Sequence, residues 1–112
     1  MTVADIEKKS RRILGDTIEE YRWSREEIRD HIQEGLKAIN AIRPETRYVN
    51  GVLASPAALP ENDDAEFALA GRYEEALVYF TVHKCYLDDD TDTTNAQLAD
   101  SYLAKFNMKV QL

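Results

Sequence analysis

Along residues 28–42 apolar side chains recur at Ile28, Ile32, Leu36, Ile39 and Ile42, with Gly35 on the same line. Arg25, Glu26, Arg29, Asp30, Glu34 and Lys37 fill much of the remaining circumference. A return every three or four residues is the period of one helix face, so the segment reads as an amphipathic helix burying a single stripe. Its ends are written as clearly as its middle. Ser24 is followed three residues later by Glu27, the pattern of a capping box in which each side chain satisfies a backbone N–H that the helix leaves unpaired. Trp23 and Ile28 flank that cap at the spacing of a hydrophobic staple. Pro44 ends the helix, because the residue before a proline is pushed out of the helical region, and the predicted span is 25–43.

Three further helices follow from the same reading. Over 2–14, Ile6, Ser10, Ile13 and Leu14 share a face, Thr2 can cap the start and Gly15 the end. The opposite face, Lys8, Lys9, Arg11 and Arg12, is solvated or pairs with acid elsewhere. Over 72–87, Tyr73, Ala76, Leu77, Phe80 and Leu87 form one apolar stripe, while Val78, Val82 and Cys85 form a second on the other side. A helix apolar on two sides belongs in the middle of a fold. Lys84 falls inside the first stripe and reaches solvent along its stem. Over 95–107, Leu98, Ala99, Tyr102, Leu103 and Phe106 face inward behind a cap at Thr94 or Asn95. Between the second and third helices, Asn50-Gly51 separates Tyr48-Val49 from Val52-Leu53, the strongest short signal for a two-residue hairpin turn. Pro56 and Pro60 keep the following chain extended or turning, so 46–70 reads as a short hairpin or irregular loop. Residues 108–112 read as a C-terminal tail with no partner of its own. The expected fold class is all-α: a four-helix bundle forming one domain over 1–112, with the hairpin or loop between its second and third helices.

Composition narrows the classes. At 112 residues, 44% hydrophobic and 31% charged, the chain can bury one core, is too apolar for a disordered segment and too charged for a membrane protein. It has no apolar run of about 18 residues, and its first residues carry charge where a secretory signal needs an apolar region. No membrane partner is expected, and the chain is expected to stay in the compartment where it is made. The net charge of −7 is unevenly spread: residues 1–50 carry 10 Lys+Arg and 10 Asp+Glu, whereas 51–112 carry 4 and 11. The acid gathers in 61–66 (Glu61, Asp63, Asp64, Glu66) and 88–92 (Asp88, Asp89, Asp90, Asp92). Such a chain has no basic footprint for gripping nucleic acid by its phosphates. Because about 16 residues of helix span roughly 24 Å, the acidic loops flanking the third helix are expected at opposite ends of the molecule.

Candidate chemistry is sparse. Asp88, Asp90 and Asp92 have the first, third and fifth positions of an EF-hand loop, but Thr93 stands where glycine is required and Ala99 where a bidentate glutamate is required. A solvated turn at a helix N-terminus explains the acid better. His31 and His83 lie at the edges of apolar faces with no Cys or His at ligand spacing, and Cys85 sits with Val78 and Val82 in a setting that quiets a thiol. The single cysteine excludes an internal disulfide. The paired carboxylates lie in loops without flanking aromatics or a glycine-rich cradle, so no catalytic residue, metal ligand or cofactor site is expected.

Two blocks carry a resemblance. "RRILGDTIEEYRWSREEIRDHIQEGLKAINAIRPET" (residues 11–46) and "ALAGRYEEALVYFTVHKCYLDDDTDTTNAQLADSYLAKF" (residues 68–106) resemble, in order and spacing, the small head-to-tail adaptor, or connector, proteins of tailed bacteriophages. The first block runs from a basic amphipathic helix through Trp23, Ser24, Glu27 and Ile28 to the Arg-Pro stop at Pro44; the second starts at Arg72, Tyr73, Ala76 and Leu77. The sequence departs from the family pattern between residues 46 and 68, where longer members carry a larger β-rich insertion. The resemblance implies a structural virion protein, located at the head-to-tail junction and in host cytoplasm before assembly. It would form a homo-oligomeric ring, commonly of twelve copies, under the portal protein. The ring would extend a channel through which DNA passes without specific binding, and offer a landing surface for a tail or nozzle protein. The acidic residues Glu61, Asp63, Asp64, Asp88, Asp89, Asp90 and Asp92 are candidate contacts, at least one of the two clusters being expected to face the channel or the portal, and the resemblance implies that Met108, Lys109, Val110 and Leu112 reach along the portal or a neighbouring copy. A second reading is an acidic regulatory or DNA-mimic protein covering a basic surface of a nucleic-acid enzyme, although such proteins spread their carboxylates along a face. A small enzyme would need convergent polar groups in a pocket that this sequence does not advertise.

Overall fold

The computed structural model describes residues 1–18, 21–49, 52–53, 59–66, 69–88 and 93–111. Four α-helices, α1 (Val3–Leu14), α2 (Arg25–Ile42), α3 (Glu74–Asp88) and α4 (Thr93–Gln111), make the all-α fold expected from the periodicity. Strands β1 (Tyr48–Val49) and β2 (Val52–Leu53) pair antiparallel, with Tyr48 opposite Leu53 and Val49 opposite Val52. That is the register of a two-residue hairpin; the Asn50-Gly51 turn itself lies outside the described residues.

The helix ends follow capping chemistry, with one exchange of roles. At α2 the Ser24 hydroxyl accepts the Glu27 N–H at 3.1 Å, but the reciprocal half of the expected box is not made: the Glu27 carboxylate accepts from the Ser24 hydroxyl instead, at 3.2 Å. The complete box is at α1, where the Asp5 N–H donates to Thr2 Oγ1 at 3.1 Å and the Thr2 N–H to Asp5 Oδ2 at 3.3 Å. Gly15 ends α1 in the left-handed region at φ 72°, and the Asp16 N–H returns to the Arg11 carbonyl at 2.9 Å. Arg43 leaves the helical region ahead of Pro44, which opens a 3₁₀ turn over Pro44–Arg47. The chain enters α3 through a second 3₁₀ turn, Gly71–Tyr73, so the helical hydrogen bonding expected from 72 starts tighter than α.

The tail reading is corrected for residues 108–111; Leu112 lies outside the described residues. Helix α4 runs on to Gln111, and Val110, one turn beyond Phe106, is fully buried with it. Arg43 clamps the end, donating from Nε to the Val110 carbonyl at 2.9 Å and from Nη2 to the Gln111 carbonyl at 2.7 Å. A helix end leaves such carbonyls without partners in its own backbone, and here a side chain from α2's end supplies them.

Helix α3 is the centre. Its Ala76, Leu77, Val78, Phe80, Thr81, Val82, His83 and Cys85 are all buried, and α1, α2 and α4 each pack against it. Helix α2 runs antiparallel to α3 and comes close at Gly35, where a Cβ would lie 3.0 Å from Phe80 Cδ1 and 3.3 Å from Leu77 Cδ2. On α1 the buried line is Val3, Ile6 and Ser10 together with Arg11, while Ile13, expected inside, is 37% exposed.

Asp63 and Asp88, one described residue from each acidic segment, do not lie at opposite ends; Asp89, Asp90 and Asp92 lie outside the described residues. Asp63 pairs with Arg29, whose guanidinium also donates to the Pro60 carbonyl, and the Leu59 N–H donates to Gln33 Oε1 at 3.0 Å. Asp88 meets His31 Nε2 at 2.8 Å. Arg29 and His31 are two residues apart, a rise of about 3 Å, so Asp63 and Asp88 both rest on the early turns of α2 at one end of the bundle. The estimate from α3's length failed because the segment before α3 need not stay beside its start. Eight residues from Glu66 to Glu74 can reach back roughly 27 Å when extended.

Candidate functional site

The residues singled out by sequence divide into scaffold and surface. Trp23 and Ile28 are buried in the single core cluster, and Tyr73 joins them, its hydroxyl accepting from Arg72 Nη2 at 2.6 Å. Pro44, Ser24 and Glu27 shape helix ends. Of these, Trp23, Ile28 and Tyr73 are buried, whereas Ser24, Glu27, Pro44 and Arg72 are exposed.

Among the acidic residues, Glu61 and Asp64 are exposed, Asp63 is half-buried in its pair with Arg29, and Asp88 is exposed beside His31. Asp89, Asp90, Asp92 and Leu112 lie outside the described residues. At the end of α4, Met108 is 65% exposed, whereas Val110 is buried and so corrected from a contact residue to a core one. Lys109 pairs with Glu75 at 2.8 Å; their hydrogen bond and mutual charge hold the Glu75 carboxyl below its ordinary range and the Lys109 ammonium above its own.

The outer seam between α3 and α4 is aromatic. Tyr102 lies between Tyr79 and Tyr86, with ring centroids 5.9 and 6.0 Å away, and Lys105 sits 4.5 Å over the Tyr102 ring. Burial, with a smaller contribution from Tyr102, raises the pKa of Tyr86. Deeper in, Phe80 meets Phe106 edge-on at 5.0 Å, and His83 Nδ1 donates to the Ala99 carbonyl at 2.7 Å, which fixes His83 as a strut between α3 and α4. Cys85 is buried, and desolvation followed by the charge of Asp88 pushes its pKa up to about 12. Such a thiol is a core group and a poor nucleophile.

One arrangement was missed by sequence reasoning. Arg11, on the face of α1 assigned to solvent or acid, is only 4% exposed. Its Nη1 donates to Asp16 at 2.7 Å, its Nε lies 3.4 Å from Glu7, and its guanidinium stacks 4.0 Å from the Tyr21 ring centroid. Asp16 in turn accepts the backbone N–H groups of Arg22 and Trp23 at 2.9 and 3.2 Å. This buried pair ties the α1–α2 connection to α1. The signal available in the sequence was Asp16 directly after the helix-ending Gly15, but nothing in the period distinguishes Arg11 from Arg12. Arg11 is among the residues lining a cleft of about 540 Å³ between α1, Arg25 at the start of α2, and residues 63–64. Its Nη2 is buried without an acceptor.

No group of three or more potential metal ligands occurs among the described residues, and no described helix is long and apolar enough to cross a membrane. Compared with models of known protein families, with curated proteins and with solved structures, the chain matches none. What the structure defines is an all-α fold of four helices around one central helix, α3.

Proposed function

We propose that this protein acts by assembly, as a head-to-tail adaptor that forms a ring beneath a phage portal, lengthens the DNA channel and carries the attachment surface for the tail. The observation that supports this reading most is the arrangement around α3. The two helical blocks that resemble the adaptor family pack around one central helix as a slab of 44 × 28 × 19 Å, several of whose polar side chains hold elements together. Arg43 on the α4 carbonyls, Arg11 on Asp16 and His83 on Ala99 are all struts. A rigid block with charged flanks is suited to packing beside copies of itself. The DNA-mimic reading draws less support, since Asp63 is neutralised by Arg29 and Asp88 is engaged by His31. The test is to mix the purified protein with the portal protein of the genome that encodes it and image the product by negative stain. A ring of density added to one face of the portal is expected. A portal that stays bare across micromolar concentrations, with the protein monomeric by light scattering, overturns the proposal.

A further inference from the structure

We propose that a groove between α1 and α3 receives the outer, acidic face of α2 from a second copy of this chain, making a head-to-tail junction between subunits. The inference rests on the ring reading above and specifies its contact.

The groove, of about 310 Å³, has Ile13, Val78 and Tyr79 as its apolar lining and Lys9, Arg12, Glu74 and Glu75 as its charged one. Ile13 belongs to the apolar stripe of α1 yet is exposed where it lines this opening. The apolar surface continues onto α4 through the contact between Tyr79 and Tyr102, with the Lys105 ammonium over both rings. Both carboxylates of the groove are engaged within the subunit, Glu74 by Lys9 and Glu75 by Lys109. Arg12 and Lys105 are exposed and form no ion pair among the described residues, so positive charge is in surplus here. In a chain of net charge −7, a cationic rim around apolar side chains matches an acidic surface and repels another like itself.

The acidic surface lies on the other side of the molecule. Gly35 of α2 faces Leu77 and Phe80 of α3. Tyr79 follows Leu77 by two residues, a turn of roughly 200°, so α2 and the groove occupy opposed sides of α3. Counted from Gly35 at about 100° per residue, Glu26 and Asp30 lie about 180° and 140° away, on the face of α2 turned from α3. Both are exposed, and neither forms an ion pair among the described residues. Nearby cations do not cancel them: Arg25 approaches Glu7, Arg29 pairs with Asp63, and Lys37 stands about 10 Å beyond Asp30 along the helix. Because the two surfaces look away from each other, one subunit cannot bring them together. Two different complementary surfaces make a heterologous contact, the kind that closes into a ring when the rotation between copies allows. Opposite charge also sets polarity, since groove against groove or α2 against α2 juxtaposes like charges.

The experiment exchanges the charges. One variant carries Arg12→Glu and Lys105→Glu; the other carries Glu26→Lys and Asp30→Lys, and all four positions are exposed. A control carries Asp100→Lys, an exposed charge outside both surfaces. Assembly of the full chain, alone and mixed with the portal protein, is followed by sedimentation velocity, with helicity checked by circular dichroism. Each double variant is expected to assemble about tenfold more weakly or worse than the wild type, and the control to match it. An equimolar mixture of the two double variants is expected to recover assembly, because alternating copies match at every junction. Should a reversal lower helicity, the neutral pairs Arg12→Gln with Lys105→Gln and Glu26→Gln with Asp30→Asn carry the test, with about threefold weakening expected. Wild-type assembly of either variant, a mixture that fails to recover, or equal weakening by the control overturns this junction and leaves ring assembly standing. A wild type that stays monomeric alone and with the portal overturns the ring reading, and this contact with it.

Discussion

Replacing Gly35 by alanine tests whether the α2–α3 approach is as tight as the geometry requires. In an open helix the exchange stabilises by about 0.5–1 kcal/mol, because alanine loses less backbone entropy on folding. At this position the added carbon would sit 3.0 Å from Phe80 Cδ1 and 3.3 Å from both Phe80 Cγ and Leu77 Cδ2. Phe80 has little room to yield: Phe106 and His83 meet its ring edge-on at 5.0 and 5.8 Å. Overpacking of this kind costs about 1–3 kcal/mol, so Gly35→Ala should lower stability by about 1 kcal/mol net. In a Phe80→Leu background the clash is relieved and the same exchange should stabilise. Urea unfolding followed by far-ultraviolet circular dichroism, analysed as a double-mutant cycle, reads the reversal of sign directly. Equal stabilisation in both backgrounds, with a coupling below about 0.5 kcal/mol, would refute the reasoning.

Other predictions concern the struts. Arg43→Ala removes two charge-assisted hydrogen bonds to the last carbonyls of α4 and should cost about 1–3 kcal/mol, with faster amide hydrogen exchange over residues 108–111; unchanged exchange there would show that Val110 alone holds the turn. Asp16→Asn leaves Arg11 buried with only the more distant Glu7, for an expected loss of about 3 kcal/mol by urea titration, and a loss under about 1 kcal/mol would contradict the buried pair. Cys85 should resist alkylation at pH 8 in the folded protein and react once urea is added. Its pKa is raised on folding from 9.0 to about 12, so the fold favours the protonated thiol. That contribution is complete below pH 9 and declines as pH climbs from 9 toward 12, which unfolding curves measured across that window would register.

Sequence alone determined the four helices, because each carries an apolar period that only a helix satisfies, and it placed α3 in the middle because that segment is apolar on two sides. It also located the quiet surroundings of Cys85, while between a hairpin and an irregular loop at 46–70 it left the choice to the structure, which pairs Tyr48 with Leu53 and Val49 with Val52. The helices and the setting of Cys85 are local properties, set by neighbours three or four residues away. Tertiary structure decided the rest. Residues 108–111, read as part of a tail, became the last turn of α4, since the carbonyls needing partners are met by Arg43, 67 residues distant from Val110. Arg11 and Arg12 are adjacent and alike in composition, yet one is buried against Asp16 and Tyr21 and the other stands free of ion pairs among the described residues. Asp63 and Asp88 came together at one end because each is held by a different residue of α2. Charge obeys Coulomb's law through space and carries no period along the chain, so which cations and carboxylates meet is settled only when the helices have packed.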